Sequence, residues 1–348
     1  MGKRSACYNG EGNKHSTLNT QGNMTQDTKR RLLTTEELKS GGFIPQRQKD
    51  LVAVRCRAPG GRLTGAKLRK LADVAEKYGD GTVHLSVRMS PEILYVNMKD
   101  LTSVIEELGS LWHSPIATCG SRVRVPTACG GCEYNPRGWT DTQKFAVEVD
   151  RRYFGTNTYH KFKIAFTGCV IDCMRTREMD LGFQGMVKPE LVESLCTGCG
   201  LCVHSCHSGA LEMVNELPKR IWDKCVSCGD CINVCPSNAL VAKNVGHAVY
   251  VGGKHGRNPH AAYPVAEFIP DEKVFDVIDG TLAWYKLRGK PRERIGFTID
   301  RVGIDDYRKH MKDIFGECIL TQEDIEQPKW KTIFWPGAAE AFPRYGDI

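Results

Sequence analysis

The sequence predicts an α+β protein of two or three folding units, interrupted by one small cysteine-rich insert. Three observations carry this reading. Strand and helix patterns alternate through residues 51–108, two cysteine runs of identical spacing lie 29 residues apart, and strand-like segments bearing paired cations stand upstream of those runs. At 348 residues the chain exceeds one typical domain.

Residues 51–57 (LVAVRCR) read as a strand, followed by the loop APGGRLTG. Thr64 is placed to cap a helix over 65–78, with Leu68, Leu71, Ala72 and Ala75 along one face and Gly79 as its stop. Strands at 82–88 and 93–98 and a helix at 100–108 complete an α+β unit. The hydrophobic fraction of 41% and charged fraction of 26% are those of a water-soluble globular chain. No apolar run reaches the ~18 residues that a membrane span needs. The N-terminus has basic residues without an apolar stretch after them, so no secretory leader is expected, and Ala6 breaks the myristoylation pattern. The default location is cytoplasmic. Residues 1–40 form a polar arm suited to lying over a surface or a partner. The net charge of +7 is not gathered into a basic run, which gives nucleic-acid binding little support.

The cysteines are the loudest signal. Residues 196–206 read CTGCGLCVHSC and residues 225–235 read CVSCGDCINVC, both C-x2-C-x2-C-x3-C, with similar exits HSGAL and PSNAL. Zinc sites usually separate two CxxC pairs; eight cysteines in two runs of four are the signature of a two-cluster bacterial ferredoxin. In that arrangement the fourth cysteine of each run reaches the other cluster. The expected sets are therefore Cys196, Cys199, Cys202 and Cys235 for one [4Fe-4S] cluster, and Cys225, Cys228, Cys231 and Cys206 for the other. Two clusters in series conduct electrons but do no chemistry of their own.

Four further cysteines stand upstream: Cys129 and Cys132 in TACGGCEYNPRGWTDT, and Cys169 and Cys173 in FTGCVIDC. Two loops could bring them around a third cluster; the bland alternative is that some are buried apolar thiols. Nearby strands carry paired cations. Lys161 and Lys163 alternate with Phe162, Ile164 and Phe166; Arg122 and Arg124 share a face, as do Arg55 and Arg57; and in TVHLSVR, Arg88 lies opposite Val83, Leu85 and Val87. Any one such face could simply be a solvated sheet. Four faces with no acid among them suit a polyanion, which Arg grips through its planar fork and Lys meets as a point charge. VGGKHGRNP (251–259), with Lys254 and Arg257, is either an anion-binding turn or a plain surface turn.

These segments, RVPTACGGCEYNPRGWTDTQ, YHKFKIAFTGCVIDC, VYVGGKHGRNP and RERIGFTIDRVG, together with the ferredoxin runs, resemble the siroheme sulfite and nitrite reductase superfamily over roughly residues 41–318. The resemblance is strongest to dissimilatory-type and anaerobic sulfite reductase subunits with an inserted ferredoxin. It implies a ferredoxin-like half domain at 41–110, a siroheme and [4Fe-4S] domain at 111–186 and 243–318, an inserted 2[4Fe-4S] domain at 187–242, and a tail at 319–348 that contacts another subunit. It further implies siroheme coupled to a third cluster through Cys173, and a substrate cage of Arg88, Arg124, Lys161 and Lys163. Arg55, Arg57, Arg122, Lys254 and Arg257 become candidates for the siroheme carboxylates. The implied reaction is reduction of sulfite, or of nitrite, with electrons from an unknown low-potential donor; a purely electron-transferring or structural subunit is the other reading. The α+β arrangement occurs once where larger members have it twice, implying a homo-oligomer or pairing with a related subunit. One departure stands out: the family's C-x5-C would place a ligand at position 135, which is Asn135 here, leaving Cys132 or Cys119 for that role.

Overall fold

The computed structural model describes residues 34–256 and 259–331. After a short helix α1 (Thr35–Ser40), an antiparallel sheet forms in the order β1–β2–β4–β3 from Phe43–Pro45 (β1), Leu51–Arg55 (β2), Val83–Leu85 (β3) and Pro91–Asn97 (β4). Helices α2 (Gly65–Tyr78) and α3 (Leu101–Gly109) join a core with Val52, Val54, Leu71, Val74, Ile93, Val104 and Leu108. The Thr64 hydroxyl accepts the Lys67 amide at 3.3 Å, as its position before the helix requires. Gly79 closes α2 where a β-carbon would meet the Leu94 carbonyl at 2.4 Å.

Two details depart from the sequence reading. The apolar stripe of α2 runs through Leu71, Val74 and Ala75, while Leu68 is 51% exposed and Ala72 is exposed as well. The helix is rolled toward the i, i+3, i+4 set that includes Val74, a residue the sequence reading passed over. Strand β3 is also shorter than expected and ends at Leu85. The Ser86 hydroxyl donates to the Ser90 carbonyl and accepts the Ser90 amide, and Met89 adopts φ +59°. This side-chain competition for backbone groups turns the chain, so Leu85 and Val87 are 68% and 92% exposed and Arg88 sits on a turn rather than a strand face.

The second sheet is mixed, in the order β11–β10–β7–β6–β5. Its strands are Thr127–Ala128 (β5), Ile164–Thr167 (β6), Leu181–Leu191 (β7), Leu240–Val251 (β10) and Tyr263–Ile269 (β11). β5, β6 and β7 pair in parallel, and β7, β10 and β11 pair antiparallel. Helices α4 (Thr142–Tyr153), α7 (Val274–Arg288), α8 (Ile295–Val302) and α9 (Ile304–Phe315) share the largest core, which includes Phe145, Phe162, Ile164, Phe166, Phe183, Trp284 and Tyr307. Phe162, Ile164 and Phe166 enter this core as the alternation requires, leaving Lys161 and Lys163 half-buried.

Between β7 and β10 lies the insert: α5 (Leu201–His204), the hairpin β8 (Leu211–Val214) and β9 (Leu217–Arg220), and α6 (Asp230–Asn233). Asn215 and Glu216 turn the hairpin with φ of +51° and +62°, the left-handed pair that a two-residue connection wants. The β7–β10 ladder continues to Leu191↔Leu240, so residues 187–191 pair with 240–245 instead of belonging to the insert alone. At the C-terminal side Trp330 packs on the chain's own Tyr250, with ring centroids 6.1 Å apart, beside Met186 and Ala248. That ring is therefore committed within the chain; Phe334 and Trp335 lie outside the described residues.

Candidate functional site

Cys129 and Cys169 sit on loops following β5 and β6. The Cys129 sulfur accepts the amides of Gly168 (3.1 Å) and Gly131 (3.4 Å), so the two loops are tied through a thiol. They can approach this closely because a β-carbon on Gly168 would stand 2.6 Å from the Gly131 backbone. Burial raises the Cys169 thiol, and the nearby Cys129 and Cys173 thiols oppose its ionisation further. These three sulfurs share one neighbourhood. Cys132 lies on the same loop as Cys129 and is exposed, as Cys173 is; after burial the neighbours that raise its thiol are Asp141, Asp271 and Glu133. The Asn135 side-chain amide lies 4.0 Å from the Cys169 sulfur. Cys119 is placed elsewhere, 3.8 Å from Arg55 Nη1, where Arg124 and Arg55 outweigh burial and hold its thiol below the ordinary value.

The cations do converge. Lys163 is lowered to about 8 by burial first, then by Arg88 and Arg294, with Lys161 adding to the same effect. Lys161 is lowered by burial, Arg294 and Arg124, and Arg88 by burial, Arg124 and Arg55. The acid opposing them is Asp180, fully buried and forked onto Arg294 at 3.0 and 2.6 Å; it also accepts the Lys163 amide at 2.9 Å. Arg124 is 6% exposed, and its guanidinium is aimed by the carbonyls of Thr118 and Gly120. Arg88 donates to the Val125 carbonyl. The Nε atoms of both Arg88 and Arg124 are buried without a partner. An unmatched buried donor costs about 1–3 kcal/mol, more when charged, so these two fit an anionic acceptor.

The remaining candidates divide. Arg55 lies near Arg88 and Arg124 but is paired with Glu92 at 2.7 Å. Arg57 is bound to Asp150 at 2.8 Å and stacked on Phe154, away from Arg55's partners. Arg122 lies on a bridge to Asn157, two residues from Arg124 and across Val123. Lys254 is buried over the Phe297 ring, 3.1 Å from its centroid, and faces Asp300, so its charge is engaged within the chain. Arg257 lies outside the described residues. The acids that neutralise Arg55 and Arg57 come from a neighbouring strand and a helix, which inspection of each strand face alone could not show.

In the insert, one cavity is lined by Cys196, Cys199, Cys202 and Cys235, the four thiols expected to share a cluster. The Cys231 thiol, raised chiefly by burial, feels Cys225 and Cys206 as neighbouring like charges. No three His, Cys, Asp or Glu among the described residues are grouped for a single ion; the ligands of a cubane stand farther apart than that.

Residues 44–111 match the nitrite/sulfite reductase ferredoxin-like half domain, and residues 119–317 match the nitrite and sulphite reductase 4Fe-4S domain. The chain belongs to the nitrite and sulfite reductase family. It is 33% identical over 279 residues to a coenzyme F420-dependent sulfite reductase of Methanocaldococcus jannaschii, covering 78% of this chain and 44% of that protein. It thus spans less than half the length of that relative. Over 173 residues it is 28% identical to an anaerobic sulfite reductase subunit of Salmonella typhimurium, covering 45% of this chain and 50% of that protein. The crystal structure of dissimilatory sulfite reductase I shares the fold, with a TM-score of 0.66 at 21% identity over 80% of this chain and 72% of that one. Members of the family use siroheme and a [4Fe-4S] cluster. No described helix is long and apolar enough to cross a membrane.

The sequence reading missed Asp180, Arg294, Trp139 and Arg220. The first two form a buried pair 114 positions apart in the chain, which no local period reveals. Arg220 donates to the Cys225 and Cys231 sulfurs and the Trp139 indole to the Cys228 carbonyl, contacts that no strand or helix period shows.

Proposed function

We propose that the chain is a siroheme-dependent sulfite reductase, carrying out the six-electron reduction of sulfite to sulfide with electrons supplied through two ferredoxin-type clusters. The observation that carries this reading is the convergence of Arg88, Arg124, Lys161 and Lys163 around unpartnered buried guanidinium nitrogens, beside loops bearing Cys129, Cys169 and Cys173. When bound, siroheme supplies an iron that holds the oxyanion, and the adjoining cluster supplies electrons. The chain's own residues do the rest. Arg88 and Arg124 offer fixed N–H donors to the anion's oxygens, an arrangement that favours charge developing there. Lys161 and Lys163 neutralise the dianion, and Lys163 Nζ, with its value near 8, can hold and release a proton near neutral pH. Cys129, Cys169 and Cys173, with Cys132 from the same loop as Cys129, would hold the third cluster, which would supply electrons to the siroheme.

Lys163 gives the site a pH dependence with a defined sign. Below about 8 its ammonium is charged and binds anions; above it the charge is lost. Affinity for sulfate, a dianion throughout this range, is expected to fall as pH rises from 7 to 9, measured by calorimetry. A flat profile contradicts the assignment. The same group lies below its unfolded value, so the anion-free protein gains stability as pH rises from about 8 toward 10.5.

Pairing with a second copy or a related subunit is part of the proposal. Leu85 and Val87 stand exposed on an edge strand and turn next to Arg88, a hydrophobic edge that folded chains normally cover. The test is an anaerobic preparation assayed with reduced viologen against sulfite and nitrite, with mass measured by light scattering. Sulfide formation by an oligomer is expected. A monomer that reduces neither anion contradicts the reading.

A further inference from the structure

The two halves of the insert are related by a 29-residue offset that the backbone repeats bond for bond. Val192 N–H donates to the Ala239 carbonyl as Ile221 N–H does to Ala210, and Cys196 N–H donates to Glu193 as Cys225 N–H does to Trp222. The Cys206 and Cys235 sulfurs each accept one amide at 3.2 Å, from Ala210 and Ala239. The side chains depart from this symmetry at several positions, and at one of them the change falls beside a set of thiols: Leu191 in the first half is Arg220 in the second. Leu191 lines the cavity of Cys196, Cys199, Cys202 and Cys235 together with Met213, Pro218 and Leu240. Arg220 instead donates from Nη1 to the Cys225 sulfur at 3.3 Å and from Nη2 to the Cys231 sulfur at 3.5 Å, and is stacked on Trp222.

The half that carries the arginine is also the half joined to the catalytic domain. The Trp139 indole donates to the Cys228 carbonyl at 2.8 Å, and the Trp139 amide donates to Gly168, whose own amide donates to the Cys129 sulfur. Val187 N–H donates to the Ser227 carbonyl, and Arg137 pairs with Asp230 at 3.5 Å. Gly229, at φ +79°, lies against the Trp139 ring so closely that a β-carbon would stand 2.3 Å from it. Cys199 and Leu201 of the other half are exposed.

We propose that Arg220 gives the insert a direction. It raises the reduction potential of the cluster held by Cys225, Cys228, Cys231 and Cys206 above that of the cluster held by Cys196, Cys199, Cys202 and Cys235. This rests on the cluster assignment of the proposed function. Reduction adds one negative charge to a cluster, and a guanidinium with two N–H···S bonds stabilises the reduced form, whereas the apolar lining of the Leu191 cavity does not. One electron from a low-potential one-electron carrier enters at the exposed cluster and comes to rest on the one beside Trp139. Arg220 is a tuning residue; it touches neither substrate nor reacting atoms.

The test is a redox titration of the full anaerobic chain followed by electron paramagnetic resonance. Arg220→Leu, which installs the side chain of the equivalent position in the first half, is expected to lower one of the two ferredoxin midpoints by at least the equivalent of a tenfold change in electron distribution, about 59 mV for one electron, with the other unmoved. Arg220→Gln, which keeps a donor without the charge, is expected to lower the same midpoint and decides the matter if the leucine variant loses a cluster. Unchanged midpoints in a variant whose iron content shows both clusters overturn the proposal. Absence of ferredoxin-type signals from the unaltered chain overturns the cluster assignment instead.

Discussion

Lys161→Ala is expected to lower the rate of sulfite reduction by about 10²–10³, the cost of removing one fixed charge from a site where negative charge is stabilised. Lys161 is only half-buried, and the neighbouring Phe162, with Ile164 beyond it, supplies the packing that holds this segment. The ammonium is crowded by Arg294 and Arg124, so it is held where positive charge is costly until an anion arrives. Cofactor content and optical spectra should therefore match the unaltered protein while turnover falls. Steady-state assay beside an absorption spectrum separates the two; activity near that of the unaltered protein would show that the cage lies elsewhere.

Asp180→Asn carries the largest expected effect on stability. Asp180 is fully buried, its carboxylate forks onto Arg294, and Arg294 in turn donates to the Gly253 carbonyl at 3.2 Å, joining the β6–β7 region to α8. Removing the charge leaves Arg294 buried and unmatched among Lys161, Lys163 and Arg88, a loss of about 3–5 kcal/mol. A denaturant titration should show the midpoint falling accordingly. Adding Arg294→Met to the same chain should recover part of the loss, because no stranded cation remains. A double variant as unstable as the sum of the two single ones would contradict this account of the pair.

The sequence was most informative where one local rule governs. Helix α2 appears from Thr64 to Gly79 because a cap, a 3.6-residue stripe and a glycine stop agree. The alternation that sends Phe162, Ile164 and Phe166 inward and leaves Lys161 and Lys163 half-buried was likewise readable, although the strand begins only at Ile164 and buries Ala165 as well. It failed where a side chain overrode the period: Ser86 bonds its own turn and converts the expected strand face of Arg88 into a loop. Arg88 nonetheless comes close to Arg124 and Lys163 from that turn. The partners of Arg55 and Arg57 were hidden because Glu92 and Asp150 are distant in sequence. Spacing alone proposed Cys132, and it could not show that the Asn135 side chain lies 4.0 Å from the Cys169 sulfur, because a loop rather than a periodic element brings the two together.

The proposed chemistry depends on thiols outside the insert holding iron next to a tetrapyrrole. Iron and acid-labile sulfide should be counted in anaerobically purified chain and its visible spectrum recorded. Three cubanes and one siroheme give about thirteen iron atoms, with a Soret band and a red band above the broad iron–sulfur absorption. Iron for only two cubanes and no tetrapyrrole band would contradict the catalytic reading and leave a conductor of electrons.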